Sequence, residues 1–153
     1  MDNQLKFDVI TLFPGLLEGV FDESILGRAV RNDLIKVGIH DLRDWADDPH
    51  NVTDDRPFGG GAGMVLKPEP LFESIESMER EGTAVVYMSP DGESLSTPLA
   101  RSLAQEKHLI VVSGHYEGID QRVRDCKVER EISIGDYVLT NGTLAAAVLI
   151  DAV

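Results

Sequence analysis

Cysteine is almost absent from this chain: Cys126 is the only one among 153 residues. A single thiol excludes an internal disulfide framework and a cysteine-based zinc site. Long apolar runs are missing too, since no stretch approaches the roughly 18 residues that a membrane span needs. The amino terminus also lacks the basic region and apolar core of a secretory signal. We therefore expect a cytoplasmic protein with no membrane segment.

Positive charge is scarce as well. The chain has 14 Lys and Arg residues against 27 Asp and Glu residues, which gives a net charge of −13. Proteins that coat nucleic acids depend on clustered positive charge, so this balance argues against such a role. It still allows a few local arginines to recognise one feature of an RNA.

Several catalytic motifs are also missing. The glycine-rich run at 59–63 lacks the third glycine of a dinucleotide fingerprint, and it follows an irregular segment instead of a strand. No Gly-Lys-Ser/Thr and no Gly-x-Ser-x-Gly sequence occurs, which argues against an NTPase loop and a serine hydrolase. The four histidines lie far apart without ligand-type spacing, so we expect no metal site.

What the chain does contain is an alternation of strand and helix patterns. Strands are predicted over 5–13, 36–40, 83–88, 108–113 and 128–134. Helices are predicted over 25–34, 69–80, 98–105, 119–125 and 143–153. This alternation predicts one α/β domain with a mainly parallel sheet flanked by helices.

Two stretches predict a binding pocket. The run 109–113 is apolar up to Ser113 and is followed by Gly114, as expected of a buried parallel strand and its carboxyl-end loop. The stretch 131–142 begins as a strand, turns at Gly135, carries apolar residues and turns again at Gly142. An apolar loop is unusual and is either buried or lines a pocket. We expect a pocket, because ligands of open α/β sheets bind outside the carboxyl ends of the strands.

The segment 41–65 shows no periodicity and ends in a glycine-rich run. Structureless runs above about 15 residues are usually functional or disordered. Glycines permit close approach of the backbone to a ligand. Because linkers rarely mix aromatic with charged residues, we interpret this segment as a functional loop.

Several runs in the chain resemble the bacterial tRNA (guanine-N1)-methyltransferases, in order and over essentially all 153 residues. The runs are Leu12-Phe13-Pro14, the residues 54–64 (DDRPFGGGAGM), Tyr87-Met88-Ser89-Pro90, the residues 114–123 (GHYEGIDQRV) and the residues 131–139 (EISIGDYVL). The resemblance implies an α/β fold of the SPOUT type, with a trefoil knot in its carboxyl-terminal part. It also implies a pocket for S-adenosylmethionine (SAM) in the knot, and a homodimer that shares its active sites.

The resemblance further implies roles for individual residues. Cofactor binding is expected, largely through backbone groups, at Tyr87, Met88, Ser89, Pro90, Gly114, Tyr116, Glu117, Gly118, Ile134, Gly135, Asp136, Tyr137, Val138, Leu139 and Gly142. Binding of the tRNA substrate is expected at Asp54, Arg56, Gly59, Gly60 and His115.

The reaction implied by the resemblance is transfer of the SAM methyl group to N1 of the guanosine 3′ to the tRNA anticodon, at position 37. In the family, the base and the cation that this reaction needs are an aspartate and an arginine downstream of the motif that ends at Val153. A small carboxyl-terminal domain that grips tRNA also follows there. We therefore expect residues 1–153 to form a SAM-binding domain that binds SAM and does not methylate.

The chain departs from the family pattern at several positions. His115 replaces an arginine, and a protonated imidazole could partly take over its contact. Asn141 replaces the first of two glycines, and asparagine also tolerates positive φ. Ala145 stands where proline is common.

Two other functions fit the residues. One is a non-catalytic nucleotide-binding module built from the same loops, and the other is a SPOUT enzyme that acts on a different RNA. The run at 54–64 favours an RNA methyltransferase, because a plain nucleotide sensor would not need it.

Overall fold

The computed structural model describes residues 4–47, 49–55, 65–115 and 118–153. Its centre is a five-stranded sheet with the order β2-β1-β6-β5-β7, in which every neighbouring pair is parallel. The strands are β1 (Leu5–Thr11), β2 (Ile35–Asp41), β5 (Thr83–Ser94), β6 (His108–Ser113) and β7 (Arg130–Ser133). The predicted α/β class with a mainly parallel sheet is confirmed.

Helices cover both faces of the sheet. They are α1 (Ser24–Arg31), α2 (Pro68–Met78), α3 (Thr97–Leu103), α4 (Gln121–Cys126) and α5 (Thr143–Ala152), with short 3₁₀ helices at Pro14–Leu17 and Leu42–Trp45. On one face, Leu71 of α2 and Val123 of α4 join the core formed with Ile110. On the other face, Leu149 of α5 packs with Val9 and Val111. Because β6 is the middle strand, all six of its residues are buried.

No helix among the described ranges is long and apolar enough to cross a bilayer.

Helix α1 is shorter than its apolar pattern predicts. The helix ends at Arg31, and Asp33 adopts a left-handed backbone conformation with φ of 57°. The amides of Asp33 and Leu34 then donate to the carbonyl oxygens of Val30 and Ala29, which satisfies the end of the helix. The predicted continuation to residue 34 is therefore wrong, because a single left-handed residue stops the helix.

Strand β5 is longer than predicted. Residues 89–92, beyond its predicted end at residue 88, form an irregular part of the strand, which runs on to Ser94. The register with β7 shifts there, so that Met88 and Glu93 both pair with Ile132. Gly92 permits this arrangement, since a Cβ at that position would lie 2.5 Å from the backbone of Glu131. Turn-forming residues thus produce a bulge when a neighbouring strand offers backbone partners.

The ends of the irregular segment 41–65 are ordered against the rest of the domain. Strands β3 (Asp54–Asp55) and β4 (Val65–Leu66) form a short antiparallel ribbon. The Leu66 amide donates to the Gly118 carbonyl oxygen at 3.0 Å, and the Asp120 amide donates to the Leu66 carbonyl oxygen at 3.1 Å. These bonds attach the ribbon to the connection that follows β6.

A buried charged cluster surrounds Asp8, which lies in the middle of β1. Asp8 is 3% exposed. Its Oδ1 atom lies 2.7 Å from Nε2 of His40, and its Oδ2 atom lies 2.7 Å from Nε2 of His108. The other ring nitrogen of His108 lies 2.7 Å from the hydroxyl of Thr83. Lys6 adds a cation 3.5 Å from the same carboxylate. The carboxylate is therefore enclosed by partners, as a buried charge requires.

Candidate functional site

A cavity of about 220 Å³ opens at the carboxyl ends of β6 and β7, beside the bulge of β5. The bulge and the segments that follow β6 and β7 form its wall, and we call this site the cleft. The lining residues are Tyr87, Met88, Ser89, Pro90, Asp91, Gly114, His115, Gly118, Arg124, Ile132, Ser133, Ile134, Gly135, Tyr137, Val138, Leu139, Thr140, Asn141, Gly142 and Ala145. The cleft lies where the strand order places β5 between β6 and β7, which brings segments distant in sequence together.

One wall of the cleft is the segment 134–142, which crosses the carboxyl edge of the sheet. It leaves the edge strand β7 and reaches the centre, where the Gly142 amide donates to the Gly114 carbonyl oxygen at 2.8 Å. At the next residue, the hydroxyls of Thr143 and Thr11 lie 2.8 Å apart, with both residues buried. The crossing segment is thus anchored beside β6 and β1 before α5 begins.

Gly142 is required for close approach and not for an unusual backbone angle. Its φ is −84°, and a Cβ there would lie 3.0 Å from the Gly114 amide nitrogen and 3.3 Å from the Ser113 Cα. Asn141 has no positive φ either; its side chain accepts from the amide of Thr143, two residues further on, at 2.9 Å. The turn is therefore stabilised by this side-chain hydrogen bond, where we expected asparagine to supply a left-handed residue.

The crossing segment carries apolar side chains that solvent reaches. Tyr137 is 55% exposed, Val138 is 81% exposed and Leu139 is 39% exposed, and all three line the cleft. Of the two possibilities that an apolar loop allows, the structure shows a pocket wall and not a buried loop. Exposed apolar side chains around a concave site are typical of a ligand-binding surface.

Tyr87 forms the floor beneath the connection after β6. The side chain is buried, and a Cβ at Gly114 or at Gly118 would lie 2.9 Å or 3.3 Å from it. Gly118 also has a φ of 122°, a conformation that favours glycine. Burial raises the pKa of the Tyr87 hydroxyl, and the charge of Arg124 opposes that rise. This connection therefore rests directly on the tyrosine ring.

Arg124 and Glu131 form a paired charge at the side of the cleft. The guanidinium donates from Nε to Oε1 at 2.6 Å and from a terminal nitrogen to Oε2 at 2.8 Å. It also lies 5.7 Å from the centre of the Tyr87 ring, within the range of a cation–π contact. The hydrogen bonds that it donates to Glu131 raise the pKa of Arg124.

His115 lies in the wall of the cleft beside the crossing segment. Its Nδ1 atom donates to the Thr140 carbonyl oxygen at 3.2 Å, and its ring meets the edge of Phe13 at 5.0 Å between centroids. These contacts connect the residue after Gly114 to both the crossing segment and the end of β1.

The structure brings most of the residues predicted for cofactor binding to this one cleft. They are Tyr87, Met88, Ser89, Pro90, Gly114, Gly118, Ile134, Gly135, Tyr137, Val138, Leu139 and Gly142. Asp136 is not part of the wall, and its role stays a prediction. Tyr116 and Glu117 lie outside the described residues.

The residues predicted for substrate binding are divided. His115 lines the cleft. Asp54 lies in β3, where it pairs with Leu66, and does not line the cleft. Arg56, Gly59 and Gly60 lie outside the described residues.

Sequence reasoning missed several residues of the wall, among them Asp91, Arg124, Ile132, Ser133 and Thr140. Asp91 follows directly on the predicted run 87–90 and could have been included with it. Arg124 had no such signal, because a charged residue in a short surface helix usually faces solvent.

Comparison with known proteins assigns the chain to a family. The profile of the family described as tRNA (Guanine-1)-methyltransferase TrmD matches residues 5–153. The tRNA (guanine-N(1)-)-methyltransferase of Dehalococcoides mccartyi (strain BAV1) is 53% identical over 152 residues, which cover 97% of this chain and 61% of the relative. The protein of the same name from Protochlamydia amoebophila is 54% identical over 145 residues, covering 95% and 65%. That from Chloroflexus aggregans is 53% identical over 152 residues, covering 97% and 60%.

The chain thus spans about three fifths of the length of these relatives. The matches include the segments that form the cleft, since they extend over nearly the whole chain. The chain belongs to the tRNA (guanine-1)-methyltransferase family.

Proposed function

We propose that the cleft binds S-adenosylmethionine, and that the protein containing this chain methylates N1 of the guanosine at position 37, 3′ to the tRNA anticodon. The observation that carries the proposal is the convergence of three separate segments, the bulge of β5 and the segments after β6 and β7, on one cleft in a member of this family. Because its proposed substrate is tRNA, we expect the protein to be cytoplasmic.

The chemistry of the wall fits the adenosyl part of this cofactor. A purine has flat apolar faces and a polar edge, and such ligands bind in apolar slots that also present backbone groups. Val138 and Leu139 supply exposed apolar surface, while the glycines at 114, 135 and 142 bring the backbone to the cavity without a side chain in between. When bound, SAM supplies an electrophilic methyl group.

The guanine base sets two further requirements. N1 carries a proton at neutral pH, so its methylation needs a base to remove that proton and a donor near O6, where negative charge develops. We expect His115 to contact the substrate, since it lies in the wall and is fixed by the Thr140 carbonyl group. The base and the O6 cation of the family pattern are not among residues 1–153, so this stretch alone would bind SAM without transferring its methyl group.

The course of the chain supports a trefoil knot around the cleft. The connection after β6 passes to α4 on one face and enters β7 beyond β5. The segment 134–142 then returns across the carboxyl edge, meets Gly114 and leads to α5 on the other face. Threading of this return beneath the 114–120 connection would close the knot. A crystal structure that traces residues 116 and 117 on the opposite side of the return segment would reject it.

An apolar surface supports a homodimer. Leu144 and Val148 lie one turn apart on α5 and are 51% and 45% exposed. Helix α5 packs against the 3₁₀ helix Pro14–Leu17, whose Leu16 is 46% exposed. Apolar patches of this kind mark protein interfaces. We expect Val148→Glu to convert a dimer into a monomer in analytical ultracentrifugation, whereas an unaltered protein that sediments as a monomer would reject the dimer.

Calorimetric titration with SAM, S-adenosylhomocysteine (SAH) and ATP tests the cofactor. Binding of SAM and SAH without ATP supports the proposal, whereas binding of ATP alone would favour a nucleotide-binding module. Methyl transfer by the longer protein that contains this chain, to tRNAs that have either guanosine or adenosine at position 37, tests the substrate. Equal transfer to both tRNAs would reject the proposed specificity.

A further inference from the structure

We propose that Arg124 is a positioning residue for the cleft: held by Glu131, it fixes the Tyr87 ring against which the connection after β6 is packed. The inference rests on the proposed function, because it assigns Arg124 a role in binding the methyl donor. It concerns a residue that acts through Tyr87 and not one that contacts the donor.

The Arg124–Glu131 ion pair has a two-point geometry. Both carboxylate oxygens of Glu131 receive a donor from the Arg124 guanidinium, at 2.6 and 2.8 Å. A two-point contact of this kind fixes the plane of the guanidinium as well as its position. The side chains are 30% and 28% exposed, so the pair is partly shielded from solvent.

Tyr87 lies between the Arg124–Glu131 pair and the connection that contains Gly114 and Gly118. Glu131 is the register partner of Tyr87 on the neighbouring strand β7, so both side chains project from the same face of the sheet. Arg124 reaches the ring from α4 at 5.7 Å. The glycines at 114 and 118 leave no room for a side chain beside Tyr87, since a Cβ would lie 2.9 Å from the ring at Gly114 and 3.3 Å from the hydroxyl at Gly118. Movement of the ring would therefore move the backbone that lines the cleft.

A second arginine–glutamate pair nearby provides a comparison: it joins β7 to β5, whereas Arg124 reaches Glu131 from α4. Arg130 of β7 contacts Glu93 of β5 at 2.8 Å through one nitrogen. That pair is 44% and 49% exposed, and neither residue lines the cleft. An exposed single contact of this type contributes little to stability. Arg130 is thus a matched control for the loss of an arginine–glutamate pair.

The experiment measures SAH affinity by calorimetry for the unaltered protein and for Arg124→Gln, Glu131→Gln and Arg130→Gln. We expect Arg124→Gln to weaken SAH binding by about 5- to 20-fold, Glu131→Gln by a similar factor, and Arg130→Gln by less than twofold. Arg124→Lys keeps the charge without the two-point contact, and we expect it to recover less than half of the lost binding free energy. Each titration is made well below the unfolding temperature of its variant, so that loss of fold does not count as loss of binding.

A double-mutant cycle separates positioning from direct contact. In a Tyr87→Leu background, Arg124→Gln should weaken SAH binding by less than twofold, because the ring through which it acts is gone. An unchanged loss in that background would show that Arg124 contacts the donor itself and would overturn the inference. Full recovery by Arg124→Lys would overturn it as well.

The outcome for the unaltered protein distinguishes the two proposals. If the unaltered protein binds SAH and Arg124→Gln binds it equally well, the positioning role is rejected and the proposed function is retained. If the unaltered protein binds neither SAM nor SAH, the proposed function is rejected and the positioning role with it.

Discussion

Two sites on the sheet contain charged groups in opposite settings. In the middle of β1, the carboxylate of Asp8 is enclosed by two imidazoles and a lysine. At the carboxyl edge of the sheet, the Arg124–Glu131 pair lies at an open cleft beside apolar side chains that solvent reaches. The first arrangement satisfies a buried charge with side chains, while the second leaves surface available for a ligand. Stability should therefore respond mainly to substitutions at the first site, and binding to substitutions at the second.

The largest effect on stability should come from Asp8→Asn. The substitution removes the charge between His40 and His108 in a site that is 3% exposed. Breaking a buried charged network costs about 2–4 kcal/mol. We expect urea unfolding to show that loss, with SAH affinity changed by less than twofold. Asp151→Asn, at an exposed position, is the control; a tenfold loss of SAH affinity in Asp8→Asn would show that the two sites are not independent.

Gly142→Ala should affect both stability and binding. The new Cβ would lie 3.0 Å from the Gly114 amide nitrogen. The atoms in close contact belong to the backbone, which cannot shift as easily as a side chain. Overpacking of this kind costs about 1–3 kcal/mol, and the displaced segment is part of the cleft wall. We expect at least a tenfold loss of SAH affinity together with a lower unfolding free energy.

The control for Gly142→Ala is Gly15→Ala, where the added Cβ meets no atom within 4 Å. Its affinity and stability should stay close to those of the unaltered protein. An equal loss of binding in both variants would contradict the role assigned to the close approach.

A smaller effect should appear on acidification. Burial raises the pKa of Asp8, but hydrogen bonds from His40 and His108 outweigh it, so the pKa is lowered overall. Burial also lowers the pKa of His108, although Asp8 opposes that change. Both groups bind a proton more readily in the unfolded chain, so their contribution to stability is complete above about pH 6.5 and decreases as the pH falls.

The pH prediction concerns two windows. The His108 contribution should decrease from about pH 6.5 down to its lowered folded pKa, and the Asp8 contribution below about pH 4. Urea unfolding of the unaltered protein and of His108→Gln between pH 8 and pH 5 measures the first window. The slope should be smaller in the variant; identical slopes would show that His108 does not titrate with folding.

The cleft could largely be predicted from the sequence, whereas the Asp8 cluster could not. A site at the carboxyl edge of the sheet could be predicted because glycines interrupt the apolar runs at positions 114, 135 and 142. The alternation of strands and helices also predicts a parallel sheet, in which the carboxyl ends of the strands lie together. The family resemblance then named the residues of the wall. Strand β6 was predicted with its observed bounds, since its run is buried throughout.

The Asp8 cluster could not be predicted in this way. Asp8, His40 and His108 lie on three different strands. Their contact depends on the strand order β2-β1-β6, which sequence patterns do not predict. Asp8 also reads as an ordinary polar position within a strand. The bulge at 89–92 was missed for a similar reason, because it forms only where β7 pairs with β5 on both sides of it.

The smallest effect should come from Val138→Ser, which tests the open edge most directly. Val138 is 81% exposed and lines the cleft, so its side chain contributes little to the folded core. Exposed substitutions usually change unfolding free energies by less than about 0.5 kcal/mol. A ligand that covers the side chain would still gain about 1 kcal/mol from its burial, and the loss of that contact should weaken SAH binding about fivefold. Leu34→Ser is the control, because Leu34 is 61% exposed and does not line the cleft. If both variants bind SAH as the unaltered protein does, the exposed apolar surface of the crossing segment faces something other than the methyl donor.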